Sequence, residues 1–298
     1  MAKKLKSSLG YVLFGSSGST PELDLMIMSG LKNRGLYVIE IPFEKQFDLN
    51  DLKEKTKKCN VVFNYTTYEP LTFESIELTK TLEELGKKVI NSSHSFFYQE
   101  EKWMFYLKCL ESGIPTPKTY IIPRERTDHS NIRQILKKTP LVLKAIFSDE
   151  GRSVEKANDF PEFMKKLRKL ALKNPGSPII AQEYIPNPEH KTYRATLINH
   201  RLCQFIEKIN KKSWKQTGCT WDDRYRNVTI TKEIRQICEA ASRAFGMEFC
   251  GLDLMKSGSR WYVIEANSSP SLAFITKDIP RLVQELVTFM HSECKKHG

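Results

Sequence analysis

Two short apolar runs near the C-terminus, with a turn at residues 256–260 between them, constrain the fold of this 298-residue chain more than any other feature. Residues 251–254 and 261–267 both have the alternating pattern of a β-strand. A connection of this size is typical of a β-hairpin. Because side chains alternate between the faces of a strand, Glu265 and Asn267 should point the same way, and Asp253 can join them.

Two carboxylates and an amide on one face of a sheet offer the oxygen ligands that Mg²⁺ prefers, and Mg²⁺ is often held by phosphates as well. The alternative is a sheet whose acidic residues simply face solvent. The neighbouring Val263, Ile264 and Ala266 argue against that alternative, because they indicate a strand in a largely buried setting. The triplet by itself leaves both interpretations open.

The length and composition are those of an ordinary globular protein. A chain of 298 residues can hold two or three small domains, and a content of 40% apolar and 28% charged residues is usual. No apolar run approaches the roughly 20 residues that cross a bilayer. The basic residues at the start are not followed by the apolar stretch of a signal peptide. We therefore expect a cytoplasmic protein without a membrane partner.

Cysteine usage and net charge restrict the class of function. The seven cysteines are scattered and form no Cys-x-x-Cys pair, which argues against a disulfide framework and against a structural zinc site. A net charge of +12 would suit a nucleic-acid binder. However, the basic residues are spread along the chain, and an acidic small substrate together with nucleotide phosphates accounts for them. Nucleic acid is therefore not the expected partner.

The N-terminal third predicts a small parallel α/β domain. A strand near 11–14, a Gly/Ser-rich turn, a helix near 23–31 and a strand near 37–41 form a βαβ unit. Further strands follow near 61–64 and 88–91. The Gly/Ser turn matches neither a dinucleotide-binding motif nor a Walker A loop. It is either a plain turn that caps the helix or a site for a substrate carboxylate at the helix N-terminus.

Polar residues interrupt the apolar pattern in the rest of the chain, where helices alternate with antiparallel strands. A helix predicted at 98–112 contains Lys102, and Lys144 lies within an apolar strand, where a buried lysine needs an anionic partner. Residues 182–185 end another apolar strand, and a loop is predicted over 208–226. Lysines for phosphates, a strand edge for a base and carboxylates for Mg²⁺ are the parts of a nucleoside-triphosphate site without a P-loop.

In this order, the segments resemble the ATP-grasp superfamily and, within it, the RimK-like carboxylate–amine ligases. The resemblance rests on residues 99–103, 113–119, 143–147, 151–154, 182–185, 206–208, 214–215, 251–253 and 264–270. It implies an α/β (α+β) fold in which an N-terminal parallel α/β domain precedes two α+β lobes that clamp ATP. These three parts are expected at residues 1–92, 93–181 and 182–298.

The resemblance also implies roles for individual residues around ATP and Mg²⁺, with Mn²⁺ as an alternative metal. By this resemblance the metal ligands are Asp253, Glu265 and Asn267, and the catalytic groups that stabilise the transferred phosphoryl are Arg194, Lys208 and Lys215. The residues that contact the phosphates are Lys102, Lys144 and Gly151. Adenine is held by Gln182, Glu183, Tyr184 and Ile185, and the ribose by Glu189 or His190.

The chain departs from the family pattern at several of these positions. Thr192 stands where the family has an aspartate, which puts the ribose or substrate contacts of that residue in doubt. Lys208 and Lys215 stand where related ligases have arginines, so they keep the charge but lose the bidentate fork. Ser271 stands where glycine is usual. These departures are compatible with an unusual substrate or with lower activity.

The residues around the Gly/Ser turn also resemble, more faintly, the loop of D-alanine–D-alanine ligases that meets the amino-acid substrate. By that likeness Ser19, Thr20 and Glu22 would contact the substrate, with Glu22 at an ammonium group.

The implied activity is an ATP-dependent ligation that forms a carbon–nitrogen bond on an amino acid or peptide through an acyl phosphate. Two alternatives stay open. One is an ATP-grasp kinase that phosphorylates a small molecule and stops there, and the other is an ATP-binding regulatory module without turnover. The identity of the acid and the amine is open, as is the oligomeric state, with a homodimer as one alternative.

Overall fold

The structure is a computed structural model that describes residues 8–13, 21–42, 48–65, 72–122, 130–147, 153–209 and 224–297. Within these ranges the chain forms a parallel sheet of four strands and two antiparallel sheets of four and five strands. The mixed α/β architecture predicted from the sequence is confirmed. No helix in the described ranges is long and apolar enough to cross a membrane.

The N-terminal unit consists of β1 (Ser8–Leu13), α1 (Pro21–Asn33), β2 (Tyr37–Pro42), α2 (Leu49–Thr56), β3 (Val61–Asn64), α3 (Thr72–Glu84) and β4 (Lys88–Ile90). Its strands are all parallel in the order β2-β1-β3-β4, so the predicted βαβ unit is present. The sequence analysis missed α2, because this short helix buries just Leu52 and Thr56 and has little apolar periodicity. Asp48 caps it by accepting a hydrogen bond from the Asp51 amide.

Two helices follow where the sequence predicts a single helix over 98–112. They are α4 (Ser93–Glu100) and α5 (Lys102–Glu111). The backbone of Glu101 is extended, and its carboxylate accepts a hydrogen bond of 2.7 Å from the amide of Met104. Glu101 is therefore the N-cap of α5, which makes Lys102 the first residue of that helix.

The central sheet contains β5 (Thr119–Ile122), β6 (Leu141–Ala145), β7 (Val154–Ala157) and β8 (Ile179–Glu183), with α6 (Ser130–Leu136) and α7 (Phe160–Lys173). The strands are antiparallel in the order β5-β8-β6-β7. Phe163, Leu167 and Leu170 recur at helical spacing along α7 and are buried against this sheet. The boundary predicted between residues 181 and 182 falls inside β8.

The C-terminal sheet is formed by β9 (Lys191–Ile198), β10 (Arg201–Ile209), β11 (Arg224–Asn227), β12 (Phe249–Ser257) and β13 (Arg260–Asn267). Its strands are antiparallel in the order β11-β10-β9-β12-β13. The loop predicted over 208–226 is wrong at its C-terminal end, because residues 224–227 form β11 and pair with the end of β10. The helices of this part are α8 (Lys232–Ala244) and α9 (Ile279–His297), and α9 returns to pack on the core of the N-terminal unit.

Candidate active site

A row of polar side chains crosses three neighbouring strands of the C-terminal sheet. β12 lies between β9 and β13, and Asp253 is in register with Arg194 on one side and with Glu265 on the other. The next pair on the same face joins Gly251 to Asn267. Directly paired residues of antiparallel strands point to the same face. Arg194, Asp253, Glu265 and Asn267 therefore share one face of the sheet.

The opposite face of these strands is apolar. Ala195, Leu252 and Ala266 are sequence neighbours of the polar residues and are fully buried. They share a core with Ala241 of α8 and with Phe245. Because a shift of one residue would exchange the two faces, burial of this apolar set fixes the register that brings the polar row together.

Arg194 lies across the strand that carries Asp253. Its Nη1 atom donates a hydrogen bond of 2.9 Å to Oδ1 of Asp253. A Cβ atom added to Gly251 would lie 2.5 Å from the Arg194 guanidinium carbon, closer than any side chain could approach. Glycine at position 251 is therefore required for the guanidinium to lie against β12, and this explains why the apolar run contains a glycine.

Lys102 connects the polar row with the central sheet. Its Nζ atom lies 3.8 Å from Oε1 of Glu265 and donates a hydrogen bond of 3.4 Å to the carbonyl oxygen of Ile146, which follows β6. The position of Lys102 as the first residue of α5 depends on the Glu101 cap. The two sheets thus meet at a lysine that the sequence analysis assigned to ATP phosphates.

Lys144 lies on β6 in the same region. Its Nζ atom donates a hydrogen bond of 2.9 Å to Oε1 of Gln182, so its hydrogen-bond partner among the described residues is a neutral amide, whereas the sequence analysis expected an anionic partner. Burial lowers the pKa of the Lys144 amine to about 8, the carboxylate of Glu265 raises it, and the charge of Lys102 lowers it further. The Lys144 amine therefore has a lowered pKa, and an added negative charge nearby would favour its protonated form.

The strand end predicted to hold adenine is fixed by hydrogen bonds of its own side chains. Gln182 is held from both sides, because its Nε2 atom donates to Thr119 at 3.1 Å while its Oε1 atom accepts from Lys144. Burial, and after it the hydrogen bond that Tyr120 donates to Glu183, raises the pKa of the Tyr120 hydroxyl to about 12. The remaining two residues are Tyr184, whose ring is contacted by the Lys156 amine, and Ile185, which is buried.

The side chains at the predicted metal position fit a magnesium ion in their chemistry. Asp253, Glu265 and Asn267 are all oxygen donors on one face. The Nδ2 atom of Asn267 is buried and has no hydrogen-bond partner within the part of the chain that the structure describes. No group of three or more His, Cys, Asp or Glu residues that could hold a metal occurs in that part.

The remaining predicted residues fall into three groups. Lys208 is in register with Thr192 on β9, which places it on the face of Arg194, one pair further along. Glu189 forms an ion pair with Lys191, and Lys191 lies on the face of the sheet opposite to Arg194. Glu22 is exposed on the first turn of α1. The residues that lie outside the described ranges are Ser19, Thr20, Gly151 and Lys215.

Sequence reasoning missed two side-chain amides that hold the end of β13. Asn91 and Gln99 both form hydrogen bonds with Ser268, which follows Asn267. For Asn91 a signal was available, because a polar amide directly after the apolar strand β4 suggests a buried hydrogen-bonding role.

The comparisons with known proteins identify the family. The model of the RimK-like ATP-grasp domain matches residues 99–287, which include every described residue of the polar row. The chain belongs to this family. The resemblance stated from the sequence is thereby confirmed.

Curated relatives of this RimK-like ATP-grasp chain are distant. A protein named probable alpha-L-glutamate ligase from Haemophilus influenzae is 26% identical over 195 residues, which cover 64% of this chain and 62% of the relative. A protein of the same name from Desulfotalea psychrophila is 25% identical over 241 residues, which cover 79% of this chain and 49% of the relative. The matched part thus spans less than two thirds of the length of either relative.

Solved structures support the same fold over nearly the whole chain. D-alanine–D-alanine ligase from Bacillus anthracis, in complex with ATP, has a TM-score of 0.71 at 16% identity and covers 98% of this chain and 100% of its own. A RimK domain ATP-grasp protein from Sphaerobacter thermophilus has a TM-score of 0.66 at 13% identity and covers 94% and 98%. At such low identity the likeness establishes the fold alone.

Proposed function

We propose that this chain is an ATP- and Mg²⁺-dependent carboxylate–amine ligase that forms an amide or peptide bond on an amino acid or a peptide. The observation that carries the proposal is the row of Arg194, Asp253 and Glu265 on one sheet face, with Lys102 beside Glu265. The row combines oxygen ligands for a cation with cations for phosphates. Membership of the RimK-like ATP-grasp family supports the reading of this row as a nucleotide site.

ATP is proposed to bind between the central and the C-terminal sheets. Lys102 and Lys144 would contact its phosphates, and both already lie within electrostatic reach of Glu265. The strand end of Gln182, Glu183, Tyr184 and Ile185 would hold the adenine. Gly151 is proposed for the phosphates and Glu189 or His190 for the ribose, as the resemblance implies.

Mg²⁺ would be held by Asp253, Glu265 and Asn267 together with phosphate oxygens. When bound, such an ion neutralises charge on the phosphates and orients them for transfer. Mn²⁺ has a similar preference for oxygen ligands and is the alternative metal.

The proposed chemistry has two steps. A carboxylate oxygen of the acid attacks the γ-phosphorus of ATP, the bond to the bridging oxygen breaks, and ADP leaves. The amine then attacks the acyl carbon of the acyl phosphate, loses a proton, and releases inorganic phosphate. Positioning and electrostatic stabilisation suffice for both steps, so no side-chain nucleophile is required. Arg194, Lys208 and Lys215 are the cations proposed to stabilise the transferred phosphoryl group.

The first test is ADP formation against a panel of carboxylates and amines that starts from L-glutamate, because the relatives are named for it. A ligase needs both an acid and an amine for turnover. Turnover that does not depend on an amine, with a stable phosphorylated product, would indicate a kinase. Nucleotide binding without turnover for any pair would indicate a regulatory module.

The assignment of Glu265 is tested by the variant E265Q, which keeps the size of the side chain and removes its charge. The matched control is E77Q on α3, where the side chain is 71% exposed. E265Q should abolish turnover and E77Q should leave it unchanged. Normal turnover by E265Q would contradict the metal assignment.

A further inference from the structure

β13 is an edge strand, and its last residue is Asn267. Among the described residues, β12 is the only strand that pairs with β13, and the amide of Val263 in the middle of β13 also donates to the carbonyl oxygen of Pro115 at 2.8 Å. The final residue of an edge strand has a neighbour on one side and frays unless something else holds it. A ligand side chain needs a fixed backbone, because small displacements of a metal ligand weaken the site.

At this end of the sheet, the side-chain amide of Asn91 forms hydrogen bonds of the kind that a neighbouring strand would otherwise supply. Asn91 follows β4 of the N-terminal unit and is 1% exposed. Its Nδ2 atom donates to the carbonyl oxygens of both Phe249 and Ser268 at 2.5 Å, and its Oδ1 atom accepts from the amide of Phe249 at 3.0 Å. One side-chain amide thus bridges the start of β12 and the residue after β13, and it uses a donor and an acceptor as a peptide group does.

Gln99 holds the same residue from a second direction. Its Oε1 atom accepts hydrogen bonds from the backbone amide of Ser268 at 2.6 Å and from the hydroxyl of Ser268 at 2.8 Å. The backbone amide belongs to the peptide group that joins Asn267 to Ser268. Together, Asn91 and Gln99 fix the Ser268 amide, carbonyl and hydroxyl, directly beside the proposed ligand.

We infer that Asn91 and Gln99 are positioning residues for Asn267 and that they set the affinity of the site for a divalent cation. The inference rests on the proposed metal site and deepens it, since it makes the ligand geometry depend on residues outside the C-terminal sheet. Loss of hydrogen bonds that orient a metal ligand typically lowers metal affinity by about 10- to 100-fold.

The test compares Gln99→Leu with Gln99→Glu in the full-length protein, with Mn²⁺ as the probe. Both hydrogen bonds to Ser268 use Gln99 as an acceptor, so glutamate preserves them and leucine removes them. The dissociation constant of Mn²⁺ in saturating ADP is measured by electron paramagnetic resonance. We expect Q99L to raise it by about tenfold and Q99E to leave it at the wild-type value, because glutamate keeps both hydrogen bonds.

One control and one further test variant separate positioning from general destabilisation. Q284L makes the same change at an exposed position of α9 and should leave Mn²⁺ affinity unchanged. S268A removes the hydroxyl bond alone and should raise the dissociation constant by about threefold, which carries the test if Q99L does not fold. Wild-type Mn²⁺ affinity in folded Q99L, or in S268A if Q99L does not fold, would overturn the inference.

The variant E265Q distinguishes the inference from the proposal on which it depends. If E265Q loses Mn²⁺ binding while Q99L keeps it, the metal site stands and the positioning role is wrong. If the wild type and E265Q bind Mn²⁺ equally, the metal site itself is wrong, and the inference is overturned with it.

Discussion

The guanidinium of Arg194 and the carboxylate of Asp253 form an ion pair in which Nη1 lies 2.9 Å from Oδ1. It joins the arginine proposed to stabilise the transferred phosphoryl group to a residue proposed to bind the metal. Arg194 is 13% exposed and Asp253 is 40% exposed, so the arginine is the more deeply placed partner. The pair lies at the centre of the polar row, and it supplies the first prediction.

Arg194→Lys should lower kcat by about 10²- to 10³-fold, which is the usual cost of losing one preorganised donor to a developing charge. Lysine keeps the charge but lacks the planar fork that lies along β12. The measurement is steady-state ADP formation with the substrate pair found by the panel. R243K, at a side chain that is 56% exposed, is the control and should have wild-type kcat. An R194K enzyme with the same kcat would remove Arg194 from the proposed catalytic groups.

Gly251→Ala should be destabilising because the new Cβ atom would lie 2.5 Å from the Arg194 guanidinium and must displace it. Because the displaced group is the end of a flexible side chain, we expect a loss of about 1 kcal/mol in the free energy of unfolding, at the low end for overpacked sites. Urea denaturation measures it. The control is the same substitution in an R194A background, where the guanidinium is gone and the loss should be smaller. An equal loss in both backgrounds would show that the glycine is not there to accommodate Arg194.

Nucleotide affinity should fall as pH rises through the pKa of Lys144. Burial holds this pKa at about 8, and phosphates would favour the protonated amine, so binding takes up a proton above that pH. For one such group the dissociation constant of ADP should rise by about tenfold between pH 7 and pH 9. Isothermal titration calorimetry measures it. K144R, which stays charged, should show little of this dependence, and a pH-independent wild type would place Lys144 away from the phosphates.

Glu101→Ala should weaken the start of α5. The carboxylate caps the Met104 amide at 2.7 Å, and the loss of an N-cap costs about 1 kcal/mol of stability. Because Lys102 is the next residue, we also expect weaker ADP binding, whereas E111A at the exposed end of α5 should change neither property. Thermal unfolding and ADP titration check the two effects. Unchanged ADP affinity in E101A would separate the cap from the position of Lys102.

The acidic hairpin and the parallel N-terminal unit could be predicted from the sequence because each has a local pattern. Alternation of apolar residues identified β12 and β13, and it placed Glu265 and Asn267 on one face. The break at Glu101 could not be predicted in the same way, since the apolar pattern continues through it and the cap forms only in the folded chain.

The contacts that hold the site depend on residues far apart in the chain, and local patterns carry no information about them. Asn91 lies 177 positions before Ser268, and Gln99 lies 169 positions before it. The hydrogen bond between Lys144 and Gln182 likewise arises from the pairing of β6 with β8. For Lys144 the sequence indicated that a partner was needed, but not that the partner would be a neutral amide.

The most direct test of the proposed ligation uses an acid labelled with ¹⁸O in both carboxylate oxygens. If the carboxylate attacks ATP and the amine then displaces phosphate, one labelled oxygen passes into each molecule of inorganic phosphate released. Mass spectrometry of the phosphate measures the transfer, with the amine present and absent. We predict one ¹⁸O per phosphate and an amide product that keeps the other label. Phosphate free of ¹⁸O alongside amide formation would contradict the acyl-phosphate mechanism.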